Sequence, residues 1–274
     1  MAFKNLGKRV LVAGLGAPMV ILAIWVGGYF FFALVLLIAL LASYEFMNLL
    51  EKKDIRPVRA WVYLFTVLFF FAVYLQRGSW LLPIVVAFGC GIFIIELFRA
   101  ASRAIANVAG GLLTFFYLGV LYSYMLAVRE LPVRYSMPYK EGGKWVLLVL
   151  AAIWICDTAA YFVGSRLGRR KLAPAISPNK SIEGAVGGLM GALLAASLGK
   201  IWFVSSLSLV DALVIGGVVG VLGQMSDLVE SRFKRDAGVK DTSNILPGHG
   251  GILDRFDSPL LTFPVIYYYL IMTA

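Results

Sequence analysis

Residues 209–235 read LVDALVIGGVVGVLGQMSDLVESRFKR. Up to Ser226 the segment is almost wholly apolar or small, and then Asp227, Glu230, Arg232, Lys234 and Arg235 crowd its end. A stretch of about 20 apolar residues is long enough to cross a hydrocarbon core. There, a helix or a closed barrel is the only backbone that satisfies its own hydrogen bonds. On a helix, Gly220, Gly223, Asp227, Glu230, Ser231 and Lys234 recur at steps of three and four and share one face. That stripe grades from small residues to two carboxylates and then a lysine. Glu230 and Lys234 are spaced for an i,i+4 ion pair, which is one reading; the other makes Asp227 a ligand of a divalent cation.

The rest of the chain repeats the apolar pattern. Of 274 residues, 61% are hydrophobic and 15% charged, which excludes an ordinary soluble domain. Apolar runs near 10–27, 29–50, 60–76, 80–98, 104–128, 145–165, 182–205, 208–232 and 257–273 predict nine spans. The expected fold is all-α: a single polytopic membrane domain over 1–274. Gly27 and Gly28 alone join the first two runs, so a tight hairpin is expected. The basic start, MAFKNLGKR, lacks a small-residue cleavage site after its apolar run and reads as the entry to a first span. With the N-terminus inside, 19 of the 25 Lys and Arg residues fall in inner segments. This puts the N-terminus in the cytoplasm and the C-terminus outside. The net charge of +10 then reports basic loops beside anionic lipid, and no nucleic-acid partner is expected. Cys90 and Cys156 both sit in apolar runs and read as packing residues.

Polar residues gather in two inner loops. The sixth run ends in WICDTAAYFVGSRLGRRK, where Trp154, Asp157, Ala160, Tyr161 and Gly164 share a face. Asp157 lies well inside the apolar run, so it faces a polar interior, either bonded to Tyr161 or a neighbouring helix, or serving a ligand. The seventh run opens with Ser177-Pro178-Asn179-Lys180-Ser181-Ile182-Glu183-Gly184, read as an N-cap and N1 pair. A capped N-terminus beside Lys180 outlines a phosphate site; an ordinary capped helix is the alternative. Gly184, Gly187, Gly188 and Gly191 read as helix packing.

The last loop, SRFKRDAGVKDTSNILPGHGGILDRFD at 231–257, interleaves Lys234, Arg235, Lys240 and Arg255 with Asp236, Asp241, Asp254 and Asp257. Its centre is Pro247-Gly248-His249-Gly250-Gly251, a turn able to present backbone N–H groups. Cations and N–H groups hold phosphate oxygens, and carboxylates hold a divalent ion, so the mixture suits a metal-bound polyphosphate. Asp254 is a candidate second carboxylate for the metal of Asp227. Lone His249 reads as a phosphate donor; with no second histidine or nearby cysteine, zinc is not expected.

The pattern from Ser231 through Lys234-Arg235, Lys240-Asp241 and Pro247-x-His249-Gly250-Gly251 to Asp254-Arg255-x-Asp257 resembles the signature of the phosphatidate cytidylyltransferase (CDP-diacylglycerol synthase) family, bacterial type. Asp157-Thr158-x-Ala160-Tyr161 and Ser177-Pro178-x-Lys180-Ser181-x-Glu183-Gly184 resemble that family in the same order. Upstream the likeness rests on span number and on Tyr44-Glu45. The resemblance implies a magnesium-dependent nucleotidyltransferase that joins CTP and phosphatidate, giving CDP-diacylglycerol and pyrophosphate. It also implies a homodimer in the bacterial inner membrane, with an active-site cavity open to the cytoplasm and a second metal ion admitted. Residues 1–144 then hold N-terminal spans, and 145–274 the catalytic spans and loops. Asp227, Asp254, Lys234, Arg235 and His249 form the expected catalytic set, with Asp227, Asp254 and Glu230 as metal carboxylates. Asp157, Tyr161, Ser177, Lys180, Glu183 and Ser231 are expected at substrate, as are Lys240, Asp241, Gly250, Gly251, Arg255 and Asp257. Two rival readings are a CTP-dependent lipid-alcohol kinase and an ion-coupled transporter using Asp157, Asp227 and Glu230.

Overall fold

The computed structural model describes residues 6–246, 248 and 250–273, with only the backbone of residues 6–13 and 15. The helices are α1 (Leu6–Val26), α2 (Gly28–Glu51), α3 (Arg59–Tyr74), α4 (Gly78–Leu97), α5 (Ala104–Arg134), α6 (Lys140–Leu167), α7 (Ile182–Trp202), α8 (Leu209–Asp236), α9 (Leu253–Phe256) and α10 (Pro259–Thr273). Each of the apolar runs coincides with a helix. Among the described residues, six are long and apolar enough to cross a membrane: α2, α4, α5, α6, α7 and α8. Helices α3 and α10 have 16 and 15 residues. At about 1.5 Å of rise per residue they reach about 24 and 23 Å, short of a hydrocarbon core about 30 Å thick. The hairpin between the first two runs forms as expected, with Gly27 at φ 70° and Gly28 at φ 54°, the left-handed region that glycine enters without steric cost.

One local expectation is corrected. Ser177 and Pro178 do not open a helix. Residues Lys171–Ala173 (β1) and Ser177–Ser181 (β2) form a small antiparallel hairpin, and helix α7 starts at Ile182. Ser181 is the cap: its Oγ accepts the Gly184 N–H at 3.1 Å. Three residues of chain separate Ser177 from Ser181, and the extended pairing with β1 takes up that length.

The chain packs as two compact units. One comprises Met1–Ala23, Gly28–Ala127 and Asp236–Phe256. Its core joins Met47, Val62, Phe65, Phe69, Phe88, Ile92, Val108 and Phe115 from α2, α3, α4 and α5. The Phe88 and Phe115 rings lie 4.2 Å apart. Buried Asn107 ties the loop after α2 to α4: its Oδ1 accepts the Arg56 N–H at 2.8 Å and its Nδ2 donates to Glu96 Oε1 at 2.8 Å.

The other unit comprises Ile24–Gly27, Val128–Arg235 and Asp257–Ala274. Helices α6 and α7 pack along a small-residue seam, as the glycine spacing suggested. A methyl group added at Gly184 would meet the Ala160 carbonyl oxygen at 2.9 Å, so the backbones touch where no side chain fits. Arg129, near the end of α5, is fully buried. Its Nε donates to the Ile24 carbonyl at 3.0 Å, its Nη1 to the Tyr139 carbonyl at 2.9 Å, and its guanidinium stacks 4.1 Å from the Tyr139 ring centre.

Helix α8 is irregular. Val219–Gly223 forms a π turn, a feature that frees backbone carbonyls and often lies near functional sites. The Gln224 side chain answers this by donating to Gly220 O at 2.6 Å and to Ala185 O at 3.0 Å.

The seam predicts a contrast between two glycines. Gly184→Val should cost about 1–3 kcal/mol through overpacking. Gly217, with no atom within 4 Å of a new Cβ, should accept alanine with a gain of up to about 1 kcal/mol. Thermal unfolding of both variants in detergent checks the pair; equal effects would contradict the seam.

Candidate functional site

The α8 stripe is built as its spacing indicated, and it faces a partner from the start of α10. Asp227, Glu230 and Asp257 each offer a carboxylate oxygen, all within 4.8 Å of one another. Glu230 and Asp257 are buried, and Asp227 is half-buried. Ser226 Oγ donates to the Asp257 carbonyl oxygen at 2.6 Å, fixing the start of α10 against α8. The Ser258 N–H donates to Asp257 Oδ1 at 2.8 Å.

Two lysines offset this negative charge. Lys180, on β2, reaches Asp227 Oδ2 at 2.5 Å. Lys234, one turn further along α8, reaches Glu230 Oε2 at 2.5 Å. The Glu230–Lys234 pair is therefore real. It does not remove Glu230 from the metal candidates, because the same carboxylate belongs to the acidic triad. Ser231 Oγ lies 3.2 Å from Asp227 Oδ1. Asp157, on α6, stands within electrostatic range of Asp227, Asp257 and Lys180. It makes no hydrogen bond to Tyr161, whose ring is exposed. Among the described residues, these four carboxylates stand with the ammonium groups of Lys180 and Lys234, a grouping that favours an added cation.

The remaining candidates of this unit act on the hairpin. Glu183 Oε2 accepts the Arg169 N–H at 3.0 Å and the Arg170 N–H at 3.2 Å, turning the chain from α6 into β1. Arg235 Nε donates to the Ile176 carbonyl at 3.2 Å, tying the hairpin to α8. Ser177 sits half-buried in β2. The hairpin therefore carries Lys180 on a short framework braced from both ends by Glu183 and Arg235.

Asp254, Lys240, Asp241, Gly250, Gly251 and Arg255 belong to the other unit. Asp254 Oδ2 gathers three donors: Gly251 N–H at 2.7 Å, Thr242 N–H at 3.0 Å and Thr242 Oγ1 at 2.9 Å. The Gly251 N–H, in a turn expected at substrate, donates to Asp254. Gly248 and Gly250 hold φ 79° and 83°, and Leu246 pairs with Gly250 across the turn. Lys240, Asp241 and Arg255 are exposed. His249 lies outside the described residues.

Glu45, on α2, is the feature that sequence reasoning left undeveloped. It is fully buried. It accepts the Ile252 N–H at 2.9 Å, the Leu253 N–H at 2.8 Å and the Ser243 hydroxyl at 2.5 Å. Thr242 Oγ1 lies 3.0 Å from Glu45 Oε2 as well as beside Asp254, so its single proton is shared between two carboxylates. The available signal was a carboxylate inside an apolar run, which demands a specific partner.

An acidic triad with paired lysines in a membrane protein suits phosphate-transfer chemistry assisted by a divalent cation. Residues 7–273 match the Cytidylyltransferase family, and the chain belongs to it. Among its relatives, a phosphatidate cytidylyltransferase of Synechocystis sp. is 30% identical over 97% of this chain and 96% of its own length. One of Bacillus subtilis is 44% identical over 56% of this chain and 55% of its own length. One of Staphylococcus saprophyticus is 41% identical over 58% of each chain. These relatives carry the name of the first reading, and of neither the kinase nor the transporter.

The lysine pairings predict a charge cycle. Lys234→Met should destabilise the protein by about 3–5 kcal/mol, because it strands a buried carboxylate. Adding Glu230→Gln to it should restore most of that loss. Thermal unfolding of the single and double variants measures both; a double variant as unstable as Lys234→Met would contradict the pairing.

Proposed function

We propose that this protein transfers the cytidylyl group of CTP to phosphatidate, giving CDP-diacylglycerol and pyrophosphate. The family match across nearly the whole chain carries the reading. The acidic triad supports it.

Both substrates are anions, so the reaction brings like charges together. The phosphatidate phosphate is largely ionised near neutral pH and is already a nucleophile. One of its oxygens bonds to the α-phosphorus of CTP. The bond from that phosphorus to the oxygen bridging to the β-phosphorus breaks, and its electron pair leaves with pyrophosphate. No dedicated general base is required. Catalysis is therefore mostly charge neutralisation and in-line positioning.

Asp227, Glu230 and Asp257 form a hard, all-oxygen donor set that fits magnesium. The ion would supply phosphate charge neutralisation and polarisation of the α-phosphoryl group. Asp254 remains a proposed metal carboxylate on the family resemblance, alongside its role in ordering its loop. Lys180 and Lys234, each now holding a carboxylate, are placed to donate to phosphate oxygens once those carboxylates take another partner. Lys240, Arg235 and Arg255 add exposed cations for the triphosphate. The lipid tails remain in the bilayer while the headgroup reaches a cavity open to the cytoplasm. A homodimer, a second metal ion and residence in the bacterial inner membrane complete the proposal.

The chemistry is checked by supplying purified protein with phosphatidate, magnesium and CTP labelled separately at the α and γ positions. Label from the α position should enter the lipid, and γ label should leave as pyrophosphate. Lipid carrying γ label, made from an added prenol, would instead establish a kinase.

Orientation is checked with single cysteines at Gly168 and Val239. Both should react with an impermeant reagent only after the inner face is opened. Reaction in intact cells would reverse the topology.

A further inference from the structure

A carboxylate placed inside a membrane helix without satisfied partners costs several kcal/mol. Glu45 avoids this cost entirely through one segment. Its acceptors take the Ile252 and Leu253 N–H groups and the Ser243 hydroxyl, and share the Thr242 hydroxyl with Asp254. These partners lie in Asp236–Phe256, the segment that also carries Lys240, Asp241, Asp254 and Arg255. The segment is fastened elsewhere as well. Lys53 Nζ donates to the Asp236 carbonyl at 3.1 Å at its start, and the Tyr122 hydroxyl donates to the Phe256 carbonyl at 2.9 Å at its end. Between these ends, Glu45 and Asp254 hold Thr242 and the Gly251–Leu253 backbone from two sides.

Gly251 shows how tightly. A Cβ there would lie 2.0 Å from Thr242 Oγ1 and 2.5 Å from Glu45 Oε2. The backbone at Gly251 is pressed against the Glu45 carboxylate, and glycine is the residue that permits the approach. Satisfying Glu45 and shaping the turn are therefore one event: neither is complete without the other.

We infer that Glu45 is a positioning residue for the reaction: its buried carboxylate pins Thr242 and Ser243 to the Gly251–Leu253 backbone, and so sets the placement of the Asp254 and Arg255 side chains that follow. This rests on the reading that the turn handles the nucleotide. Glu45 itself is fully buried, its carboxylate oxygens taken up by this segment. Its neutral isostere would set an amide N–H₂ against donors, so the turn should loosen while the apolar packing of α2 stays intact.

The test measures Glu45→Gln turnover with CTP and phosphatidate, together with hydrogen–deuterium exchange of the 242–253 peptide. The control is Phe70→Leu, a buried α3 residue outside the turn, which supplies an equivalent general destabilisation. Glu45→Gln should lower kcat by about 100-fold, the scale of a small misplacement of reacting groups. It should speed exchange in that peptide, while Phe70→Leu does neither. Adding Ser243→Ala to Glu45→Gln should cost little more, because the Ser243 hydroxyl donates to the same carboxylate. Wild-type turnover in Glu45→Gln, or a loss no larger than that of Phe70→Leu, would overturn the inference. Asp254→Asn and Arg255→Ala, assayed alongside, separate the two claims. If they lose activity while Glu45→Gln keeps it, the positioning role alone fails. If all three keep it, the role of the turn fails as well.

Discussion

Carboxylates crowded at the end of apolar helices repel one another and lose hydration together, and this constraint governs the protein. Asp227, Glu230 and Asp257 lie within 4.8 Å of one another, with Asp157 in range. Such a group persists only if cations or dense hydrogen bonding offset it. Lys180 and Lys234 supply part of the offset. The β hairpin exists in this account to carry Lys180, and the Ser226 bond to the Asp257 carbonyl exists to seat the third carboxylate. The remaining negative charge is what a divalent cation would offset.

The unit that holds Glu45 and Asp254 meets the same problem with hydrogen-bond donors. Glu45 and Asp254 are satisfied by backbone N–H groups and hydroxyls from a single turn. Hydrogen bonds of this kind fix direction as well as charge, whereas an ammonium group on a flexible stem is readily exchanged. One unit therefore holds its carboxylates in a form that can trade partners, and the other holds them in a form that shapes a loop.

Much of this was legible in the sequence, for identifiable reasons. Helical spans follow from apolar length, and their ends followed the charges closely. The Asp227-Glu230-Lys234 face was readable because helical spacing is regular, and it survived the π turn upstream. The start of α7 was misplaced because Ser177-Pro178 and Ser181 both make sound caps. The choice fell to pairing with Lys171–Ala173, which short-range patterns do not encode. Asp257 was expected at substrate; that it also stands beside Asp227 and Glu230 was not readable, since those neighbours on α8 lie far off in sequence. Glu45 escaped for the same reason: its partners are 197 to 208 residues away.

The central claim is that Asp227, Glu230 and Asp257 hold a divalent cation. Manganese, a paramagnetic stand-in for magnesium, can be titrated into the purified protein with CTP present and the free ion counted by electron paramagnetic resonance. The account predicts one or more sites in the wild type, with affinity weakened about tenfold or more by Asp257→Asn and by Asp227→Asn, the scale of a lost charged ligand, about 1.4 kcal/mol or above. Manganese binding unchanged in both variants would contradict it.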